Sequence, residues 1–202
     1  MANRNTVGFG LIAQGNVGSS DANQGQGKYY IDANYGVAMF QGSVVQSKAG
    51  YIADAEASRT RLTIGILNGI FYNAATTQKP TWSNHYVANT VPANSEDITA
   101  FVIDNPLQLF AASADGAVAA ATYGLTASMT EAVPAGSTSS GQSSKQLNVA
   151  ANTSATANQF RLLRSAEDVE NEDGTVANST VIVTQNLNQY MQNTGTAGIT
   201  WQ

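Results

Sequence analysis

The 18 glycines and four prolines of this 202-residue chain cut most of its first 136 residues into pieces too short for a long helix. The pieces between the cuts are rich in β-branched and aromatic residues. They read as strands over 7–12, 29–32, 37–40, 44–46, 62–67, 70–72, 84–87, 98–103 and 107–111. Asn68-Gly69 separates two of these runs and carries the strongest short hairpin signal. Asp104-Asn105-Pro106 separates two more, and its proline presets a turn dihedral. Many short strands with turn residues between them predict a mainly β single domain over 1–202, as a β-barrel or a β-tulip or sandwich-like body.

Beyond residue 113 the pattern loosens. The Ala-rich stretch 114–130 fits a helical turn or a strand. Residues 133–158 hold Ser-, Thr-, Gly- and Asn-rich runs and read as a long surface loop, loose until it meets a partner. Strands resume at 159–164 and 180–184, with an acidic turn at 167–174 between them. Residues 187–191 fit one terminal helical turn, and 1–6 and 192–202 read as a flexible arm and tail.

Charge narrows the function classes. Charged residues make up 11% of the chain, against about a quarter in an ordinary soluble domain. Such a surface is hydrated by neutral amides and hydroxyls and offers little repulsion between crowded neighbours. The nine basic residues are dispersed from position 4 to 164, and the net charge is -5. That disfavours nucleic acid and anionic membrane surfaces as partners. No apolar run approaches the roughly 20 residues of a membrane-spanning helix. Residues 1–5 lack a signal-peptide layout, so the chain is expected to be made and kept soluble.

Chemical motifs are sparse. With no cysteine there is no disulfide, thiol nucleophile or thiolate metal site. His85 is the single histidine, and the sequence has no Gly-x-Ser-x-Gly elbow, so an ordinary surface or interface histidine is the simpler account. The segment 167–174 holds five of the 14 carboxylates. Counted from Asp168, the sixth and twelfth places of a calcium loop hold Asp173 and Ser179 in place of Gly and Glu, so a solvated hairpin tip is favoured over an ion site. Gly8-Phe-Gly10 and Gly25-Gln-Gly27 lack the surroundings of a dinucleotide fingerprint. No catalytic residue, metal ligand or cofactor is assigned. The aromatics are more informative: Tyr29, Tyr30, Tyr35, Phe40, Tyr51, Phe71, Tyr72, Trp82 and Tyr86 sit at strand spacing. They are expected first in the core, and any exposed subset would form a sugar-stacking face or a protein interface.

Five segments carry a family resemblance. They are 7–18, Gly27-Lys-Tyr-Tyr-Ile-Asp-Ala-Asn-Tyr-Gly36, Ile66-Leu-Asn-Gly-Ile-Phe-Tyr72, 98–110, and Gln159-Phe-Arg-Leu-Leu-Arg164 ahead of the acidic turn. Together they resemble the capsid decoration, or cement, proteins of tailed bacteriophages, particularly marine ones. The resemblance implies a non-enzymatic virion protein on the outer capsid surface, with the major capsid protein and neighbouring copies of itself as partners. A carbohydrate- or receptor-binding module of a phage fibre or tail is the alternative.

Overall fold

The computed structural model describes residues 3–18, 25–55, 62–130, 136–153 and 158–191, with backbone only at 151–153. Among the described residues strand accounts for 46% and helix for 4%. These residues hold twelve strands, in chain order β1 (Leu11–Asn16), β2 (Gly27–Ile31), β3 (Val44–Lys48), β4 (Tyr51–Asp54), β5 (Gly65–Asn73), β6 (Pro80–Ser83), β7 (Ile98–Ile103), β8 (Gln108–Ser113), β9 (Thr126–Met129), β10 (Leu147–Thr153), β11 (Phe160–Ser165) and β12 (Thr180–Gln185). They form two antiparallel sheets and no closed barrel, a sandwich-like arrangement.

The first sheet runs β1-β8-β12-β11-β9-β10, and the second runs β2-β7-β5-β3-β4 with β6 added alongside β5. The second sheet is thus built wholly from 27–103 and is inserted between β1 and β8, which are neighbours in the first. It curls until its edge strands β2 and β4 approach one another without a ladder between them.

Strand alternation explains where the apolar residues go. In β7, Ile98, Ala100 and Val102 point to one face and Thr99, Phe101 and Ile103 to the other. The first set joins Ile31, Val45, Ile52, Leu67, Ile70 and Tyr86 in a core enclosed by the curled second sheet. Ile103 joins Val44 and Ile66 on the opposite face, where they meet Phe110, Phe160, Leu162, Val181 and Val183 of the first sheet. Runs such as Val44-Val45, Ile66-Leu67 and Val102-Ile103 are buried on both faces for this reason. Each such side chain contributes about 1.5–3 kcal/mol by leaving water.

Several sequence expectations are corrected. Asn68-Gly69 is not a hairpin turn but a bulge within the continuous strand β5, opposite Phe101. Residues 37–40 and 84–87 are not strands; they meet in a single bridge, Met39 to Tyr86. The first strand begins at Leu11, because Gly10 takes a positive φ of 72° and packs against Gly42 and Ser143. Strands β4 and β6 were not anticipated.

The stretch 114–130 resolves into a short 3-10 turn, Ala120–Thr122, followed by β9. Within 133–158, the described residues are not a loose loop: Lys145, Leu147 and Val149 are buried, and β10 pairs with β9. Leu147 and Val149 alternate as a strand should, but serine-rich neighbours hide that signal; 131–135 and 154–157 lie outside the described residues. Residues 187–191 form a non-helical turn that bridges Asn188 to Thr63. The arm is docked at 3–5. The Asn3 amide donates to the Asp173 and Ala177 carbonyls, and the Asn5 N–H donates to Asn171 Oδ1. The tail 192–202 lies outside the described residues.

Candidate functional site

The far end of the second sheet, beyond the reach of the first, carries an open aromatic face. Register places Tyr30 of β2 beside Thr99 of β7, Thr99 beside Phe71 of β5, and Phe71 beside Trp82 of β6. Directly paired residues share a face, so these four side chains form one row across four strands. Phe101 stands in the next row, between Lys28 and the bulged Gly69. Tyr30, Phe71 and Trp82 are 44%, 40% and 55% exposed, which is unusual for three large rings on one sheet face.

Gly69 is what allows this packing. A Cβ there would lie 2.7 Å from Cζ2 of Trp82, so the indole rests on the backbone of β5 where any larger residue would lift it off. From that position it abuts Phe101, ring centroids 5.1 Å apart and planes tilted by 43°. Lys28 is the single charged group in the two rows, and its ammonium sits 5.4 Å from the centroid of the Tyr30 ring, where the negative face of the ring attracts it.

A groove of about 270 Å³ lies at the junction of the two sheets, reached from the aromatic face by way of Asn68 and Ile103, next along β5 and β7. Its polar lining is made of the side-chain amides Gln41, Asn68 and Gln142, over walls that include Ile12 and Ile103. The Gln41 amide donates to Asn68 Oδ1 at 2.9 Å, which fixes both groups.

Of the aromatics singled out from the sequence, Phe40 and Tyr86 are buried, and Tyr29, Tyr35 and Tyr72 pack partly buried against the core of the second sheet. Burial pushes the Tyr86 phenol up to about 12, and its hydroxyl donates to the Tyr35 carbonyl. His85 stacks on Phe40 with centroids 5.8 Å apart, and its Nδ1 lies 3.3 Å from Ser83 Oγ and 3.2 Å from Asn84 Oδ1. Among the described residues no carboxylate orients that ring, so the Ser83–His85 contact lacks the third member of a hydrolytic triad.

The acidic segment joins β11 to β12, as a hairpin tip should, and its carboxylates organise their own loop. Asp168 accepts from the Asn171 amide at 2.8 Å, and Asp173 accepts from the N–H and hydroxyl of Thr175, which hold its carboxyl below the usual range. Glu170 pairs with Arg4 of the arm. Gly8 lies against the backbone of Ser144 and Lys145, and Gly27 against Asp104.

Sequence reasoning missed two features. One is the buried pair formed by Asp54, at the end of β4, and Lys145, ahead of β10. Burial raises the carboxyl to about 6 and lowers the ammonium to about 8, each shift opposed by the attraction of the other charge. The other is the role of Gly69, for which the signal was present: a glycine inside a strand-like run marks a bulge or a close approach.

No protein family matches the chain, and no curated protein or solved structure is significantly similar to it.

Proposed function

We propose that this chain is a non-enzymatic structural protein of a tailed-phage virion, bound in many copies to the outer capsid surface, where it bridges neighbouring capsid subunits. The observation that carries the reading is the placement of exposed apolar side chains around a charge-poor body. Apart from the aromatic face, they emerge in separate groups: Val17 with Leu107, Val87 with Val91, and Tyr190 with Met191. A cement needs more than one contact surface, because each copy must hold at least two neighbours. The resemblance of 7–18, 27–36, 66–72, 98–110 and 159–164 to decoration proteins points the same way. Binding that requires an assembled, expanded shell stabilises that shell by mass action.

The test mixes the protein with expanded shells, precursor shells and stripped tails, and counts copies per virion by mass spectrometry. Saturable binding to expanded shells, in fixed ratio to the major capsid protein, is the expected result. Preferential binding to tails, or too few copies to cover the lattice, would replace it with the second reading, a carbohydrate- or receptor-binding module of a fibre or tail. The aromatic row favours that second reading.

A further inference from the structure

We infer that the aromatic face is a platform for a neutral polysaccharide, with the adjoining amide-lined groove reading the hydroxyls of one of its sugars. The inference takes from the second reading only that this face binds sugar; it does not depend on where in a particle the chain sits.

Three observations select this occupant. The first is ring placement. Tyr30, Phe71 and Trp82 lie in one register row, and strands spaced ~4.8 Å apart extend that row over about 14 Å. A chain of pyranose rings offers flat C–H faces at intervals, and aromatic rings spaced along a rigid sheet match such a ligand without rearranging. The row is rigid because its backbone is laddered and because Gly69 seats the indole on β5.

The second observation is charge. Lys28 is the only ionised group in the two rows, and it is engaged with the Tyr30 ring. One lysine is a poor site for a phosphate, sulfate or uronic acid, and the rows themselves hold no carboxylate for a basic peptide; Glu96, at the margin, accepts a hydrogen bond from Asn73, two residues along β5 from Phe71. The third is the polar complement. Gln41, Asn68 and Gln142 line the groove, and each amide carries both a donor and an acceptor, as sugar hydroxyls require. The Gln41–Asn68 hydrogen bond presets two of these groups, lowering the entropy lost on binding. An aliphatic protein surface would have no use for three amides, two of them held by their mutual hydrogen bond, beside its hydrophobic contact.

The experiment is affinity electrophoresis of the full chain through gels containing barley β-glucan, yeast mannan or dextran, with alginate as the anionic comparison, followed by a glycan array spanning other neutral sugars. Retardation by at least one neutral glycan is expected, with affinity falling at least tenfold in Trp82→Ala and severalfold in Phe71→Ala. Trp82→Phe should retain most of the binding, and Val169→Ala, on the remote acidic loop, all of it. Thermal melting checks that each variant is folded, and Tyr30→Ala serves if Trp82→Ala is not. Binding to alginate alone, no binding to any neutral glycan, or neutral-glycan binding indifferent to Trp82, Phe71 and Tyr30 would each overturn the inference. Loss of shell binding in Trp82→Ala without any glycan binding would assign the face to a protein partner. Copy number per virion tests the fibre or tail location separately, so failure of one leaves the other standing.

Discussion

The core between the sheets and the core inside the second sheet use the same residue types but draw on different lengths of chain. The inner core takes Ile31 to Val102, all from one continuous stretch. The inter-sheet core takes Leu11 from the N-terminal side, Val183 from the C-terminal side, and Val44, Ile66 and Ile103 from the inserted sheet. The first can form from contacts within about seventy residues, whereas the second requires both ends of the chain to arrive, at a larger loop-closure cost. Because three residues of the second sheet belong to the inter-sheet core, the two regions are joined and should unfold together.

Phe160→Ala, in the inter-sheet core, breaks or sharpens that claim most strongly. Phe160 is fully buried, and its truncation is expected to cost about 4 kcal/mol. Urea unfolding followed by far-ultraviolet dichroism and by tryptophan fluorescence should shift as one transition. Two separated transitions would mean that the second sheet is an independent unit.

The next test concerns the buried charges Asp54, at the end of β4 in the second sheet, and Lys145, ahead of β10. The folded carboxyl is raised from 3.8 to about 6, so its proton is held more tightly in the folded chain. That contribution is fully present below pH 4 and is lost as pH rises through 6. The ammonium is lowered from 10.5 to about 8, so its penalty applies below pH 8 and disappears as pH rises toward 10.5. The double variant Asp54→Asn/Lys145→Met is therefore expected to be more stable than the natural protein by about 2 kcal/mol at pH 7. The gain should shrink at pH 4 and again at pH 10. Thermal melting across that range checks it, and a pH-independent difference would place the cost in packing instead of charge.

Gly69→Ala confines the test to the aromatic end of the second sheet. Its new methyl group meets the Trp82 ring, and displacing the indole should cost about 1.5 kcal/mol and shift its fluorescence. Gly15→Ala, with no atom within 4 Å of the added carbon, should be nearly neutral. The smallest effect is expected at the arm. Arg4→Ala removes an exposed pair with Glu170 and should change stability by less than about 0.5 kcal/mol, less still at high salt.

Much of the strand content was legible, because β-branched residues between glycines leave few alternatives. What went wrong at 68–69 and 133–158 shares a cause. Asn-Gly favours a turn locally, yet pairing with β7 on one side and β6 on the other holds β5 continuous through it. Serine-rich flanks favour a loop, yet Leu147 and Val149 gain more from burial in the inter-sheet core than the flanks lose. In both places tertiary contacts outweighed a short-range preference of about 1 kcal/mol or less.

The sequence by itself determined that the chain is β-rich and poor in charge, and that its aromatics lie at strand spacing. Those properties follow from residue chemistry and a two-residue period, which need no partner to be read. Which aromatics stand open was decided only in three dimensions. Phe101 and Ile103 share one face of β7, two residues apart, with nothing in their local pattern to separate them. Ile103 is buried in the inter-sheet core at the wall of the amide-lined groove, while Phe101 lies half-buried beneath Trp82 on the open face. Alternation assigns a residue to a face; how far the opposing sheet extends over that face determines whether the residue meets protein or water.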